Sequence, residues 1–235
     1  MIDIHNHLLF GIDDGSKTIE ESVDVLRNME KCGYTDIILT PHYIDGSKYS
    51  NKKDDNLKRL DILKNELKKN NISINLYLGN EIYIDEDIKK YLKKNYISSL
   101  NNTKYLLIEL PMSGEFAGYQ EIFKDLIMDG YKVILAHPER YLTFQDDYDL
   151  IYELKDMGVL FQCNIDSLVG KYGPYAKDTL IKLLNDGHVS FLATDIHHTK
   201  HDFDIWKTAE KIALKYISSE DFKVLTKTNP SQLIG

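Results

Sequence analysis

Seven short apolar runs punctuate the chain, each ending in a polar residue: Met1–His7, Asp36–His42, Ile74–Glu81, Tyr105–Glu109, Lys132–His137, Val159–Asn164 and Val189–Asp195. They are rich in Ile, Leu and Val and mostly lack strict alternation, the pattern of strands buried on both faces, as in parallel sheets. Helical patterns lie between them. Thr18 and Glu21 have the spacing of a capping box ahead of Val23 and Leu26. Leu57, Leu60, Leu63 and Leu67 recur at helical spacing, as do Ile122, Leu126 and Ile127, then Leu180, Leu183 and Leu184. Gly33, Gly130, Gly158 and Gly187 each stand between a helical pattern and the next strand, where a C-terminal capping glycine belongs. A strand–helix unit of about 30 residues is one βα crossover. Seven in series predict a closed or nearly closed α/β barrel, although periodicity alone is also compatible with a doubly wound open sheet.

No Pro/Gly/Ser-rich linker or low-complexity tract divides the 235 residues, so one domain over 1–235 is expected. A formal charge of -8 argues against nucleic acid as a partner. Two cysteines, Cys32 and Cys163, leave no room for a disulfide framework and are expected as buried free thiols in a reducing compartment, the cytoplasm. There is no apolar run long enough to span a bilayer and no leader-like start, so membrane insertion is not expected. Oligomeric state is not legible.

In a βα barrel the C-terminal ends of the strands converge on one face. His5, His7, His42, Glu81, Glu109, His137, Asp195 and His197 fall there, and His5 and His7, two apart, should point the same way. Asp13 and Asp14 follow the first run in a turn and can reach over the same mouth. Singly, each has a plainer role: a hydrogen-bonded structural histidine, a cap from Glu81 to a helix starting near Asp85, a simple turn at Asp13-Asp14-Gly15. His188, His198 and His201 are expected on the surface. Together, so many carboxylates at close range are costly unless compensated, and divalent cations compensate them. Imidazole and carboxylate without thiolate suit Mn, Fe, Zn or Co. Nine candidates (His5, His7, Asp14, His42, Glu81, Glu109, His137, Asp195, His197) imply two or three ions sharing carboxylates, an arrangement most often used on phosphate esters. Arg140, in His137-Pro138-Glu139-Arg140, can grip a phosphate in bidentate fashion; the alternative is a surface pair with Glu139. A cysteine phosphatase loop is excluded, because Val169 and Ile38 stand where its arginine would follow Cys163 or Cys32. No phosphate-binding GxxxxGK[ST] loop and no GxSxG elbow occur.

The segments MIDIHNHLLFGIDDGSKT, TPHYIDG, GNEIY, LIELP, AHPERY and TDIHH, in this order, resemble the polymerase-and-histidinol-phosphatase (PHP) superfamily. Within it they are similar to the manganese-dependent protein-tyrosine phosphatases of bacterial capsular and exopolysaccharide loci. The resemblance runs the length of the chain to Asn229-Pro230. It implies a distorted seven-stranded PHP-type barrel with three metals. His5, His7, Glu81 and Asp195 would hold the first, Glu81, Glu109 and His137 the second, and Asp14, His42 and His197 the third. It also implies Mn2+, a phosphate-binding Arg140, and phosphotyrosine in the tail of a partner bacterial tyrosine kinase as substrate. The family pattern continues past S/T-D-x-H to a second arginine; here Lys200 or His201 would replace it. Two other readings stand beside this one. A small-molecule phosphatase, acting for example on histidinol phosphate, would carry similar ligands, and a scaffold could hold metal and bind a kinase without turnover.

Overall fold

The computed structural model describes residues 1–113, 118–197 and 203–235. Nine short strands appear among them: β1 (Ile2–Asp3), β2 (Asp36–Leu39), β3 (His42–Tyr43), β4 (Asn75–Leu78), β5 (Glu81–Tyr83), β6 (Tyr105–Glu109), β7 (Lys132–Ala136), β8 (Leu160–Asn164) and β9 (Val189–Ala193). The helices are α1 (Ile19–Lys31), α2 (Lys53–Lys69), α3 (Ile88–Lys93), α4 (Tyr119–Met128), α5 (Leu142–Asp146), α6 (Asp149–Asp156), α7 (Pro174–Asn185), α8 (Asp204–Ala213) and α9 (Ser219–Lys223). Every strand pair is parallel.

The strands follow the seven predicted paths. Two paths are each cut in two, so that β1-β2-β4 form one sheet and β3-β5-β6-β7-β8-β9 another. The cuts have local causes. Pro41 has no N–H to continue a ladder, and the Thr40 hydroxyl both accepts from Asn6 N (3.0 Å) and donates to Asn6 O (3.1 Å) where strand pairing would otherwise run. On the neighbouring path the Asn80 amide donates to Pro41 O (2.9 Å) and its oxygen accepts from Ser98 N (2.8 Å). The ring closes through a parallel bridge between Asn6 and Ile196, with His7 N donating to Ile196 O and Asp195 N to His5 O. This is an α/β barrel of distorted form; an open doubly wound sheet would leave the first and last paths unpaired.

The weak alternation within the strands has a direct explanation. Odd and even residues of the same strand enter two different cores. Ile37, Leu39, Leu106, Ile108, Val133, Leu135, Phe161 and Leu192 face outward and pack with the helices in one cluster. Ile2, Ile4, Ile38, Leu107, Ile134, Ala136, Phe191 and Ala193 face inward and plug the barrel. Each such side chain, fully buried, contributes roughly 1.5–3 kcal/mol relative to exposure. Followed toward the C-terminal ends, several inward columns change from apolar to ligand-type residues: Ile38 leads to His42, Leu107 to Glu109, Ala193 to Asp195.

The local expectations are met with three adjustments. Leu60, Leu63 and Leu67 of α2 are buried, but Leu57 is 37% exposed. Thr18 accepts from Glu21 N, yet the Glu21 carboxylate turns back to Lys17 N (2.7 Å) rather than to Thr18 N, so the capping box is only half made. Cys163 is buried, whereas Cys32 is half-buried; both are free. The four inter-element glycines all have positive φ, as their capping role requires. No helix among the described residues is long and apolar enough to cross a membrane.

Candidate metal centre

All nine predicted ligands meet at the C-terminal mouth of the barrel. His5, His7 and Glu81 form a fully buried floor, while Asp14, with half its side chain exposed, lies at the rim with His197 and Arg140. Glu81 is the hub. Its Oε1 lies 3.2 Å from His5 Nε2 and 3.0 Å from His137 Nε2; its Oε2 lies 3.2 Å from His7 Nε2 and 3.0 Å from His42 Nδ1. Glu81 therefore does not cap the next helix, which begins at Ile88. Asp195 Oδ1 stands 3.4–3.6 Å from nitrogens of His5, His7 and His197. Glu109 Oε2 is 3.5 Å from His42 Nδ1, and Asp14 Oδ1 is 3.6 Å from both His42 Nε2 and His197 Nε2.

The loop after the first strand does more than turn. Asp13 is buried; its Oδ2 accepts from His7 Nδ1 (2.7 Å) and from His42 N (3.0 Å), and its Oδ1 accepts from Gly15 N (3.0 Å). With Nδ1 protonated, His7 turns its Nε2 lone pair to the cluster. Gly15 is needed because a Cβ there would overlap the His7 carbonyl. Gly15→Ala is expected to lower the stability of the metal-free protein by about 1–3 kcal/mol, as overpacking does, which urea unfolding would read; an unchanged midpoint would show that the loop relaxes freely.

Two ligand positions are held in unusual backbone. His137 (φ 34) and Asp195 (φ 50) are left-handed without being glycine. Such conformations cost on the order of 1–3 kcal/mol each and persist where the surroundings impose them. At His137 the change of conformation ends the strand and directs Pro138–Arg140 into a 3-10 turn.

The electrostatics ask for positive charge. Burial alone would lower the His5 pKa, but Glu81 and Asp195 beside it outweigh that and hold it up at about 9. His7 is raised likewise, against burial, by Asp13, and His42 by Glu81. Burial and the Glu81 charge push Glu109 up to about 8, so its carboxyl favours a proton at neutral pH. Burial and the neighbouring His7 hold His197 down at about 4. A divalent cation would supply this charge without protons. The donor atoms fit one: His5 Nε2, His7 Nε2, His42 Nδ1 and Glu81 Oε2 face the cluster and are buried without a hydrogen-bond partner among the described residues, and His137 turns its Nε2 to Glu81. Four groups have ligand atoms within 4.8 Å of one another: His7, Asp14, His42 and His197; His5, His7 and Glu81; His5, His137 and Asp195; His42, Glu81 and Glu109. These differ from the grouping expected from resemblance in joining His7 to the rim set, in joining His137 to His5 and Asp195, and in joining Glu109 to His42.

Arg140 does not pair with Glu139 on the surface. Glu139 is fully buried and accepts from Asn164 N and Ser167 Oγ, both at 2.8 Å. Arg140 Nη1 donates to Asp195 Oδ2 (2.8 Å), and its guanidinium lies 4.3 Å from the centre of the Tyr172 ring. Sequence reasoning missed Tyr172, which carries no motif, and also missed Gln162 and Asn164. These two inward-facing amides on a buried strand were detectable as polar residues with no solvent to satisfy them. His188 is half-buried against Tyr152 rather than on the surface. The expectations for His198, Lys200 and His201 lie outside the described residues.

The chain is 37% identical to CapC of Staphylococcus aureus, with 84% of this chain and 77% of that protein covered. It is 34% identical to the tyrosine-protein phosphatase YwqE of Bacillus subtilis, over 85% and 78%. Among solved structures it matches one from work on YwqE from Bacillus subtilis and CpsB from Streptococcus pneumoniae, described as unique metal-dependent tyrosine phosphatases. The TM-score is 0.88 at 32% identity, covering 100% of this chain and 91% of that one. A zinc-bound histidinol phosphate phosphatase of Lactococcus lactis shares the fold, with a TM-score of 0.61 at 16% identity over 92% and 93%. The family model for capsular polysaccharide synthesis, CpsB/CapC, matches residues 1–235, and the chain belongs to that family.

Proposed function

We propose that residues 1–235 form a single metal-dependent phosphatase domain that hydrolyses phosphotyrosine. The observation that carries this reading is the set of buried ring nitrogens gathered around the Glu81 carboxylate, with Arg140 at the open rim. The names of its relatives YwqE and CpsB point the same way. We propose Mn2+ as the resident ion, held by His5, His7, Asp14, His42, Glu81, Glu109, His137, Asp195 and His197; this nitrogen–oxygen set also suits Fe, Zn or Co. Divalent ions held there would lower the pKa of water and stabilise charge on phosphoryl oxygens.

The protein's own part is binding and orientation. Arg140 reaches the phosphate from the rim with donors not engaged by Asp195 and neutralises charge on its equatorial oxygens. Asp13 fixes the His7 ring, so that the site costs little reorganisation when substrate arrives. A phenol, with a pKa of about 10, leaves more readily than an aliphatic alcohol, so tyrosine phosphate makes modest demands on a general acid. The substrate proposed is phosphotyrosine in the tail of a partner bacterial tyrosine kinase controlling polymer synthesis, and the location proposed with it is the cytoplasm.

The test is phosphate release by Mn2+-loaded protein from a phosphotyrosine peptide, against a phosphoserine peptide and histidinol phosphate. EDTA is expected to abolish the activity. Mn2+ at a hundredfold excess over Kd is expected to stabilise the fold by about 2.7 kcal/mol through linkage, read as a concentration-dependent rise in Tm. Turnover of histidinol phosphate alone would sink the tyrosine assignment and leave the metal chemistry. No turnover of any substrate by fully loaded protein would favour the scaffold reading.

A further inference from the structure

We propose that Gln162 and Asn164 are positioning residues: a buried chain of two neutral amides that dictates which nitrogen of His5 and which oxygen of Asp195 face the metal. The inference rests on reading the cluster as a divalent-metal site.

The polarity of the chain follows from one end. An ionised carboxylate only accepts hydrogen bonds. Asp195 Oδ2 lies 2.7 Å from the Asn164 amide, so Asn164 presents Nδ2–H there and turns Oδ1 away. That oxygen lies 2.9 Å from the Gln162 amide, which must donate through Nε2 and so turns Oε1 to His5. Oε1 is 2.6 Å from His5 Nδ1. An amide oxygen only accepts, so Nδ1 carries the hydrogen and the Nε2 lone pair is delivered to the cluster, 3.5 Å from Asp195 Oδ1. The two ends of the chain thus flank one volume. Gln162 and Asn164 are both fully buried, so water does not compete for these bonds. Arg140 supplies a second donor to Asp195 Oδ2 at 2.8 Å, which engages that oxygen and leaves Oδ1 for an ion.

The arrangement makes a prediction of unusual sign. A carboxylate bonded to the outer nitrogen of a metal-ligating histidine ordinarily strengthens the ligand, and Asp13 stands in that relation to His7. On that rule alone Gln162→Glu would tighten binding. In the chain it does the reverse. The new carboxylate has no hydrogen for Asn164 Oδ1; the Asn164 amide must flip to satisfy it, which turns an oxygen on Asp195.

The experiment is Mn2+ affinity by chelator competition for wild type and Gln162→Glu, with far-UV circular dichroism of both metal-free proteins. Alongside it, 15N–1H spectra of histidine-labelled wild type are recorded loaded with diamagnetic Zn2+ and, metal-free, above the raised His5 pKa of about 9, where the ring is neutral and its tautomer can be read. The expected results are affinity weakened roughly tenfold or more by Gln162→Glu, in the range of outer-shell changes, and His5 protonated at Nδ1 in both spectra. Affinity equal to or tighter than wild type overturns the proposal. So does a His5 without a proton on Nδ1, which also decides the matter if the variant does not fold. Wild type that binds no divalent ion refutes the metal-site reading instead, and the metal-free spectrum still judges the chain.

Discussion

Replacing Arg140 with alanine is expected to lower kcat on a phosphotyrosine peptide by about 10²–10³, some 3 kcal/mol, the range for loss of one preorganised donor to a developing oxyanion. The guanidinium is placed for this by three features. The 3-10 turn that follows left-handed His137 projects it to the rim, Asp195 Oδ2 binds one of its nitrogens, and the Tyr172 ring covers one face. Arg140→Lys should recover only part of the rate, because an ammonium cannot make the bidentate contact. Metal content should stay near wild type in both variants, since Asp195 keeps the Asn164 bond. Parallel steady-state kinetics and metal analysis check this. A variant that loses its metal together with its rate would make Arg140 a support for Asp195 rather than a phosphate ligand.

Glu81→Gln is expected to have the other large effect, and on metal content first. Glu81 is the carboxylate that reaches four histidines, two through each oxygen. Gln keeps the shape but replaces one oxygen with an NH2 that points hydrogens at ligand nitrogens or at an ion. It also removes the charge that raises the His5 and His42 pKa values. Loss of an outer-shell partner costs about 10–100-fold in metal affinity or activity; a shared ligand should cost more, on the order of 10³-fold. Metal stoichiometry by mass spectrometry should fall, with the far-UV spectrum unchanged. Full stoichiometry in the variant would remove Glu81 from the centre of the site.

Much of the barrel was legible because its signals are local. A strand buried on both faces shows a run of Ile, Leu and Val without alternation, and the outer and inner cores of this barrel take alternate residues of such runs. The histidines and carboxylates were legible as a group because most of them close such a run or stand within two residues of its end, and parallel strands bring their ends to one side. The division of two paths into β2 and β3 and into β4 and β5 was not legible. Pro41 marks one break in the sequence, but the rest depends on the Thr40 hydroxyl and the Asn80 amide entering the hydrogen bonding of neighbouring segments, a competition that exists only once those segments are side by side.

The partners within the site show the same boundary more sharply. Glu139 and Arg140 are adjacent in sequence and of opposite charge, yet one turn sends Glu139 into the core to Asn164 and Ser167 and sends Arg140 to Asp195. Gln162 and Asn164 look like ordinary polar residues in the chain; a one-residue register shift between β8 and β9, at Phe161 and Gln162, sets Asn164 opposite Ala193, two residues before Asp195. By itself, then, the sequence determined the element types, the two-faced burial of the strands and the inventory of ligand chemistry at their ends, because period and residue type are properties of a short stretch of chain. Which ligands share a volume, which nitrogen each histidine offers and what holds Arg140 were decided only by the tertiary structure. Those are matters of ångströms between groups mostly 25 or more positions apart, with His7 and Asp13 the short-range case, set by strand register, barrel closure and backbone turns.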